Sequence, residues 1–174
     1  MSTSEQFFVL DEPIVPGIYS RCERHLNQAQ GAGCVALHMF IDSAWGDYRE
    51  ALRIHTLIVS LTMPVVAYCS KRAMGAGLLV FIAATKREAS PEARFMIEST
   101  AQNAPAHAGT STPFPGNDRV RHLLLERGIS LSPQELDQFD RGTNLHFSSL
   151  EALSCGIVHD LARHMPEHET AKTV

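Results

Sequence analysis

Two short segments of this chain combine small residues with polar ones in a pattern suited to stabilising negative charge. Ile41 to Asp47 reads IDSAWGD, and Ser70 to Leu79 reads SKRAMGAGLL. Each sets a glycine-containing turn between an apolar run and a stretch of helical spacing, where backbone N–H groups converge and the helix dipole favours an anion. Gly46 lets an amide approach a ligand closely. Two such amides, those of Gly46 and Met74, would form an oxyanion hole for the tetrahedral intermediate of acyl transfer or for a thioester enolate. Glycine-rich turns also serve simply to pack a helix on a strand. Immediately before Met74 stands Ala73, which has no nucleophile to offer. Ser70 beside Lys71 and Ser99 beside Glu98 are the neighbouring hydroxyls, but neither lies at the turn position that would aim its oxygen between the two amides. Glu98 would serve as an acid or base if burial raised its pKa. As a structural carboxylate it would pair with Lys71, Arg72 or Arg94.

Metal and disulfide chemistry find less support. Cys22, Cys34, Cys69 and Cys155 are widely separated, with no CxxC pair, and read as small hydrophobes. His159, His164 and His168 crowd the C-terminus, but Pro166 interrupts them and no further ligand stands nearby. They read as a polar tail rather than a zinc site. No metal and no cofactor is expected.

The elements that must hold these turns follow from periodicity. Phe7 to Leu10 is a strand, Gly17 to Ala29 a helix, and Val35 to Ile41 (VALHMFI) a buried strand leading to a helix over Tyr48 to Leu61. Pro64 ends that helix. Val65 to Cys69 is another buried strand, and Met74 to Ala84 is apolar on every face, as a central helix would be. Phe95 to Ile97 forms a further strand. Repeated strand and helix units of this length predict a parallel sheet with right-handed crossovers. Ala101 to Asn117 carries three prolines and two glycines and reads as a loop. Helices follow over Asp118 to Arg127, stopped by Gly128, from a Ser132–Glu135 capping box toward Phe139, and over Ser148 to Cys155 with Gly156 as cap. Ile157 and Val158 form a last edge strand.

The 174 residues make one soluble α/β domain over 1–174, with flexible tails at 1–6 and 162–174. A net charge of −4 and the lack of a basic cluster exclude nucleic acid as an expected partner. MSTSEQ lacks the features of a signal peptide, and no apolar run reaches the ~18 residues of a membrane span, so no membrane is expected and the location is cytoplasmic.

The run PVVAYCSKRAMGAGLLVFIAATKREASPEARFMIEST resembles the central segment of the Clp protease proteolytic subunit. That family carries a G-x-A-A-S-M-G-A turn, a K-R-x-A-x-P-x-[SA]-R-x-M-I run and then a catalytic histidine. FIDSAWGD resembles its I-N-S-P-G-G-S, and FSSLEALSCGIVHDL its F-x-S-x-x-E-A-x-x-x-G-L-V-D segment, so that order and spacing hold from Phe7 to Leu161. The resemblance implies the ClpP/crotonase fold, a spiral of ββα units. It places the catalytic serine on Ala73, the histidine on Glu98 and, counted back from Glu151–Ala152, the aspartate on Asn144. The oxyanion amides fall on Gly46 and Met74. All three triad positions are substituted, and an asparagine has no imidazolium left to stabilise.

What the resemblance implies is a catalytically inactive homologue, a pseudoprotease acting as an oligomer subunit or scaffold. It would self-associate, or join a hetero-oligomer with an active Clp-type subunit, and take a peptide or protein as ligand. Pro105, Pro113 and Pro115 break the first half of the family's handle helix, so stacking differs from that of a double heptamer. Two alternatives are an active serine peptidase whose residue 73 has been exchanged for alanine, and a crotonase-like enzyme binding acyl-CoA thioesters. The chain is short for the latter and lacks its C-terminal helical segment.

Overall fold

The computed structural model describes residues 5–99 and 116–162. Its first half runs β1 (Glu5–Leu10), α1 (Ile18–Gly31), β2 (Ala36–Ile41), α2 (Tyr48–Ser60), β3 (Val65–Cys69), β4 (Arg72–Met74) and α3 (Ala76–Phe81). The second half follows as β5 (Lys86–Ala89), β6 (Arg94–Ile97), α4 (Asn117–Glu126), α5 (Pro133–Asp140), β7 (Leu145–Ser148), α6 (Ser149–Cys155) and β8 (Asp160–Leu161). A five-stranded sheet in the order β1-β2-β3-β5-β8 is parallel throughout, as the strand and helix alternation predicts. Alternation along β1 to β3 turns Phe8, Leu10, Leu37, Met39, Ile41, Val65, Ala67 and Cys69 into the core. The opposite face carries a file of stacked rings, Phe7, His38, Phe40 and Tyr68, with centroid spacings of 5.0–6.3 Å. The result is a mixed α/β domain of the ββα type.

Capping follows the sequence at the predicted Ser132–Glu135 box, and the structure adds a second at Ser148–Glu151. Ser132 and Ser148 each accept from the amide three residues on, while Glu135 and Glu151 return the bond. Asp47 opens α2 by accepting from the amides of Arg49 and Glu50 at 2.8 and 3.0 Å. The start of α1 has no local cap, and Glu50 of α2 supplies one, accepting from the amides of Gly17 and Tyr19 at 3.0 Å.

Several elements differ from expectation. The helix expected from Met74 begins at Ala76, because Gly75 turns the chain at φ 52°, and Ala73 and Met74 lie in β4. Strands β5 and β7 escape the periodicity reading, since Lys86, Arg87 and Glu88 disguise one and His146 the other. The last strand is β8, and Ile157 and Val158 are core residues ahead of it. Glu5 and Gln6, expected in a tail, pair in β1, and the amide of Ala162 donates to Ala89. The remainder of both expected tails, the loop over 101–115 with its three prolines, and His164 and His168 lie outside the described residues. All four cysteines are free, and all but Cys155 are buried.

Among the described residues Arg87 is the largest fully buried side chain, at 1% exposure, and no carboxylate among them faces it. Its guanidinium donates to five carbonyls, those of Ile82 and Ala84 (3.2 Å each), Arg127 (3.0 Å), Gly156 (2.9 Å) and Ile157 (2.8 Å). Ile82, Arg127 and Gly156 are the C-caps of α3, α4 and α6, so one cation satisfies the open carbonyls of three helix ends. The His159 Nε2 also lies 2.7 Å away, so His159 has a defined partner rather than belonging to a polar tail. Burial, with Arg127 beside it, lowers the Arg87 pKa to about 10, which leaves it charged at neutral pH.

Arg87→Met removes the guanidinium donor from the Arg127, Gly156 and Ile157 carbonyls, while Ile82 and Ala84 keep bonds from Arg127, and a loss of about 4 kcal/mol or more is expected in urea unfolding. Gly77 is a second constraint, because a Cβ there would lie 2.8 Å from the carbonyl carbon of Ser43 and 2.9 Å from its Cβ. Gly77→Ala should therefore cost about 3 kcal/mol, and an unchanged midpoint would contradict this contact. His55 is buried in α2, and desolvation holds its pKa below the ordinary 6.5. Below about pH 6.5 the unfolded chain then binds the extra proton first, so stability falls as pH drops through that range. In His55→Gln this slope should be shallower than in the native protein.

Candidate active site

A separate three-stranded sheet, β4-β6-β7, gathers the predicted positions. β4 and β6 run parallel with Ala73 beside Phe95 and Met74 beside Met96, and the amide of Gly75 extends the ladder to the Met96 carbonyl at 3.1 Å. β6 and β7 are antiparallel with Ile97 beside Leu145, so one further step sets Asn144 opposite Glu98. The Asn144 Oδ1 accepts from the amide of Ser99 at 2.9 Å. Glu98 and Asn144 thus face each other at the ends of β6 and β7, while Ala73 lies within β4 opposite Phe95 and Gly75 is the residue that approaches Glu98. Ala73 itself is completely buried.

The space above Gly75 is occupied by two side chains. A Cβ at Gly75 would lie 2.6 Å from the Glu98 Oε2 and 2.6 Å from the Tyr48 hydroxyl, and that hydroxyl donates to the same carboxylate oxygen. Burial, then the Glu98 charge, pushes the Tyr48 pKa far above its ordinary 10.0, which keeps the phenol a proton donor. Lys71, Arg72 and Arg94, the expected partners of Glu98, form no ion pair with it among the described residues, and the Arg94 guanidinium donates instead to the carbonyls of Glu92 and Ala93. Tyr48 is the residue that sequence reasoning missed. It lies 50 positions from Glu98, and its only local signal is its place directly after the helix-capping Asp47.

The two expected oxyanion amides take different surroundings. The Met74 amide donates to the Ser43 carbonyl at 3.0 Å. Gly46 sits in a parallel bridge with Ile14, whose amide donates to Trp45 (3.1 Å) and whose carbonyl accepts from Asp47 (2.5 Å). A Cβ at Gly46 would lie 2.6 Å from the Ile14 nitrogen, so its close approach is to Ile14 backbone. The bridge leaves the Gly46 amide pointing away from Ile14.

Neighbouring hydroxyls are committed to structure. Ser70 donates to Asp42, whose Oδ1 also accepts from the amides of Ser70 (3.0 Å), Lys71 (2.7 Å) and Arg72 (3.2 Å). Ser99 donates to the Phe139 carbonyl at 2.6 Å. Asp42 therefore shapes the β3–β4 turn as an anion held by backbone amides. Among the described residues no three His, Cys, Asp or Glu side chains are grouped to hold a metal ion, and no helix is long and apolar enough to cross a membrane.

Comparison with known proteins completes the picture. No curated protein matches the chain. Among solved structures, an asparagine-to-aspartate mutant of ClpP1 from Listeria monocytogenes superposes with a TM-score of 0.76 at 20% identity, covering 91% of this chain and 92% of that one. ClpP1 from the same organism gives a TM-score of 0.73 at 19% identity with the same coverage. A serine-to-alanine mutant of the membrane-bound stomatin-specific protease 1510-N gives 0.69 at 16% identity, covering 95% of this chain and 82% of that one. At these identities the likeness is one of fold. The model of the family described as Clp protease matches residues 24–164. With that match spanning most of its length, the chain belongs to the Clp protease family.

Proposed function

We propose that this protein is a noncatalytic member of the Clp protease family, acting in the cytoplasm as a subunit or scaffold of an oligomer. The observation that carries the reading is the Tyr48–Glu98 pair set over Gly75, beside a buried Ala73. Acyl transfer by this family's chemistry needs a hydroxyl, an imidazole and a carboxylate in relay, with free amides to receive the oxyanion. Here a methyl group, a carboxylate and an amide side chain take the three positions. The Met74 amide already has a carbonyl acceptor. Neither Ser70 nor Ser99 is a substitute nucleophile, since each hydroxyl is bonded to a buried or capped acceptor. A family fold without its relay fits a peptide- or protein-binding role, in a homo-oligomer or beside an active Clp-type subunit.

Fluorophosphonate labelling tests the reading. The native protein should not be labelled, nor should Ala73→Ser, which lacks the imidazole; Ala73→Ser/Glu98→His should be the first variant to react. Labelling of the native protein would overturn the proposal. Light scattering should show an assembly larger than a monomer, and a monomer at high concentration would remove the subunit role.

A further inference from the structure

A cavity of about 400 Å³ opens between α2 and α4, lined by His55 and Thr56 on one side and by Arg119, Glu126 and Arg127 on the other. It belongs to no part of the candidate active site. His55 is 4% exposed, and its Nδ1 lies 2.7 Å from the Leu79 carbonyl. A carbonyl can only accept, so the ring proton is on Nδ1 and the neutral ring presents a bare Nε2. That nitrogen has no hydrogen-bond partner among the described residues, is not sealed from solvent, and so opens on the cavity His55 lines.

The other wall supplies donors. Arg127 is fixed in place, its Nε and Nη2 donating to the Ile82 and Ala84 carbonyls at 2.9 Å each, which leaves Nη1 uncommitted by those bonds. Arg119 forms no ion pair among the described residues. Glu126, the one acid in the lining, lies 3.1 Å from the Nε2 of His122. The cavity therefore offers two guanidinium groups and one buried acceptor. An oxyanion that keeps a proton satisfies both kinds of group, whereas a fully ionised one leaves the Nε2 facing a lone pair.

We propose that this cavity binds a phosphate group bearing a P–OH, its hydroxyl donating to the His55 Nε2 and its anionic oxygens accepting from Arg119 and Arg127. The geometry selects against sulfate, which has the same size but no proton to give near neutral pH.

Isothermal titration of the full chain with inorganic phosphate, sulfate and phenyl phosphate tests this. Phosphate should bind saturably and about tenfold more tightly than sulfate, and Arg119→Ala should weaken it about tenfold. His55→Phe should erase the preference for phosphate over sulfate. Should that variant fail to fold, the His55 Nε2 resonance of the native protein provides the same readout and should shift with phosphate but not with sulfate. Binding of phenyl phosphate as well as phosphate would identify a phosphomonoester as the ligand, and binding of phosphate alone the free ion. No binding, equal binding of phosphate and sulfate, or an Arg119→Ala variant with native affinity would each overturn the proposal.

Discussion

The Ser43 carbonyl is the point on which the candidate site is hung. It accepts the Met74 amide at 3.0 Å and lies against Gly77, where no Cβ can be admitted. One backbone group thereby joins the turn after β2 to the turn before α3, two segments more than thirty residues apart in the chain. Everything that follows depends on this approach: the direction of β4, the position of Gly75, and the space in which Tyr48 and Glu98 meet. Small residues in SKRAMGAGLL are needed less for flexibility than for this contact, since α3 is buried along its whole length.

Charge is handled in the same way, largely by backbone, with Arg53 as the counter-ion of Glu50. Arg87 is held by five carbonyls at helix ends, Asp42 by three amides of the β3–β4 turn, and Glu50 by two amides at the start of α1. A buried ion with a complete shell of oriented dipoles avoids much of the cost of desolvation, and each of these three ties together segments distant in sequence. This explains why a chain rich in short helices holds a single arrangement. The ends of α3, α4 and α6 would otherwise present open carbonyls to the core.

The candidate site is built on the smaller of the two sheets. The β4-β6-β7 sheet carries a methyl within β4, a carboxylate paired with a phenol at the end of β6, and an asparagine bonded to backbone at the start of β7. The Tyr48 phenol is held protonated, and it donates to Glu98 where an imidazole relay would need a proton acceptor facing a serine. Glu98 and Asn144 are each bonded in place, the one to the Tyr48 phenol and the other to the Ser99 amide, and Ala73 is packed in the core.

The alternation of apolar runs, the Ser132–Glu135 capping box and the burial of Cys22, Cys34 and Cys69 could all be read from the chain, because each depends on local propensity or on spacing. Strand β5 could not be read, since the burial of Arg87 becomes favourable only when three helix ends converge on it, and no local pattern announces a charge that will face inward; β7 is only four residues long. The partner of Glu98 was equally hidden. Lys71 and Arg72 are near neighbours of Ala73 along the chain, yet the contact is made by Tyr48, brought in by the packing of α2 against α3. Sequence alone therefore determined the fold class and named residues of the candidate site, through hydrophobic period and residue identity. Tertiary structure alone decided which groups face one another across it, because hydrogen-bond partners are chosen by distance in space after the strands have paired.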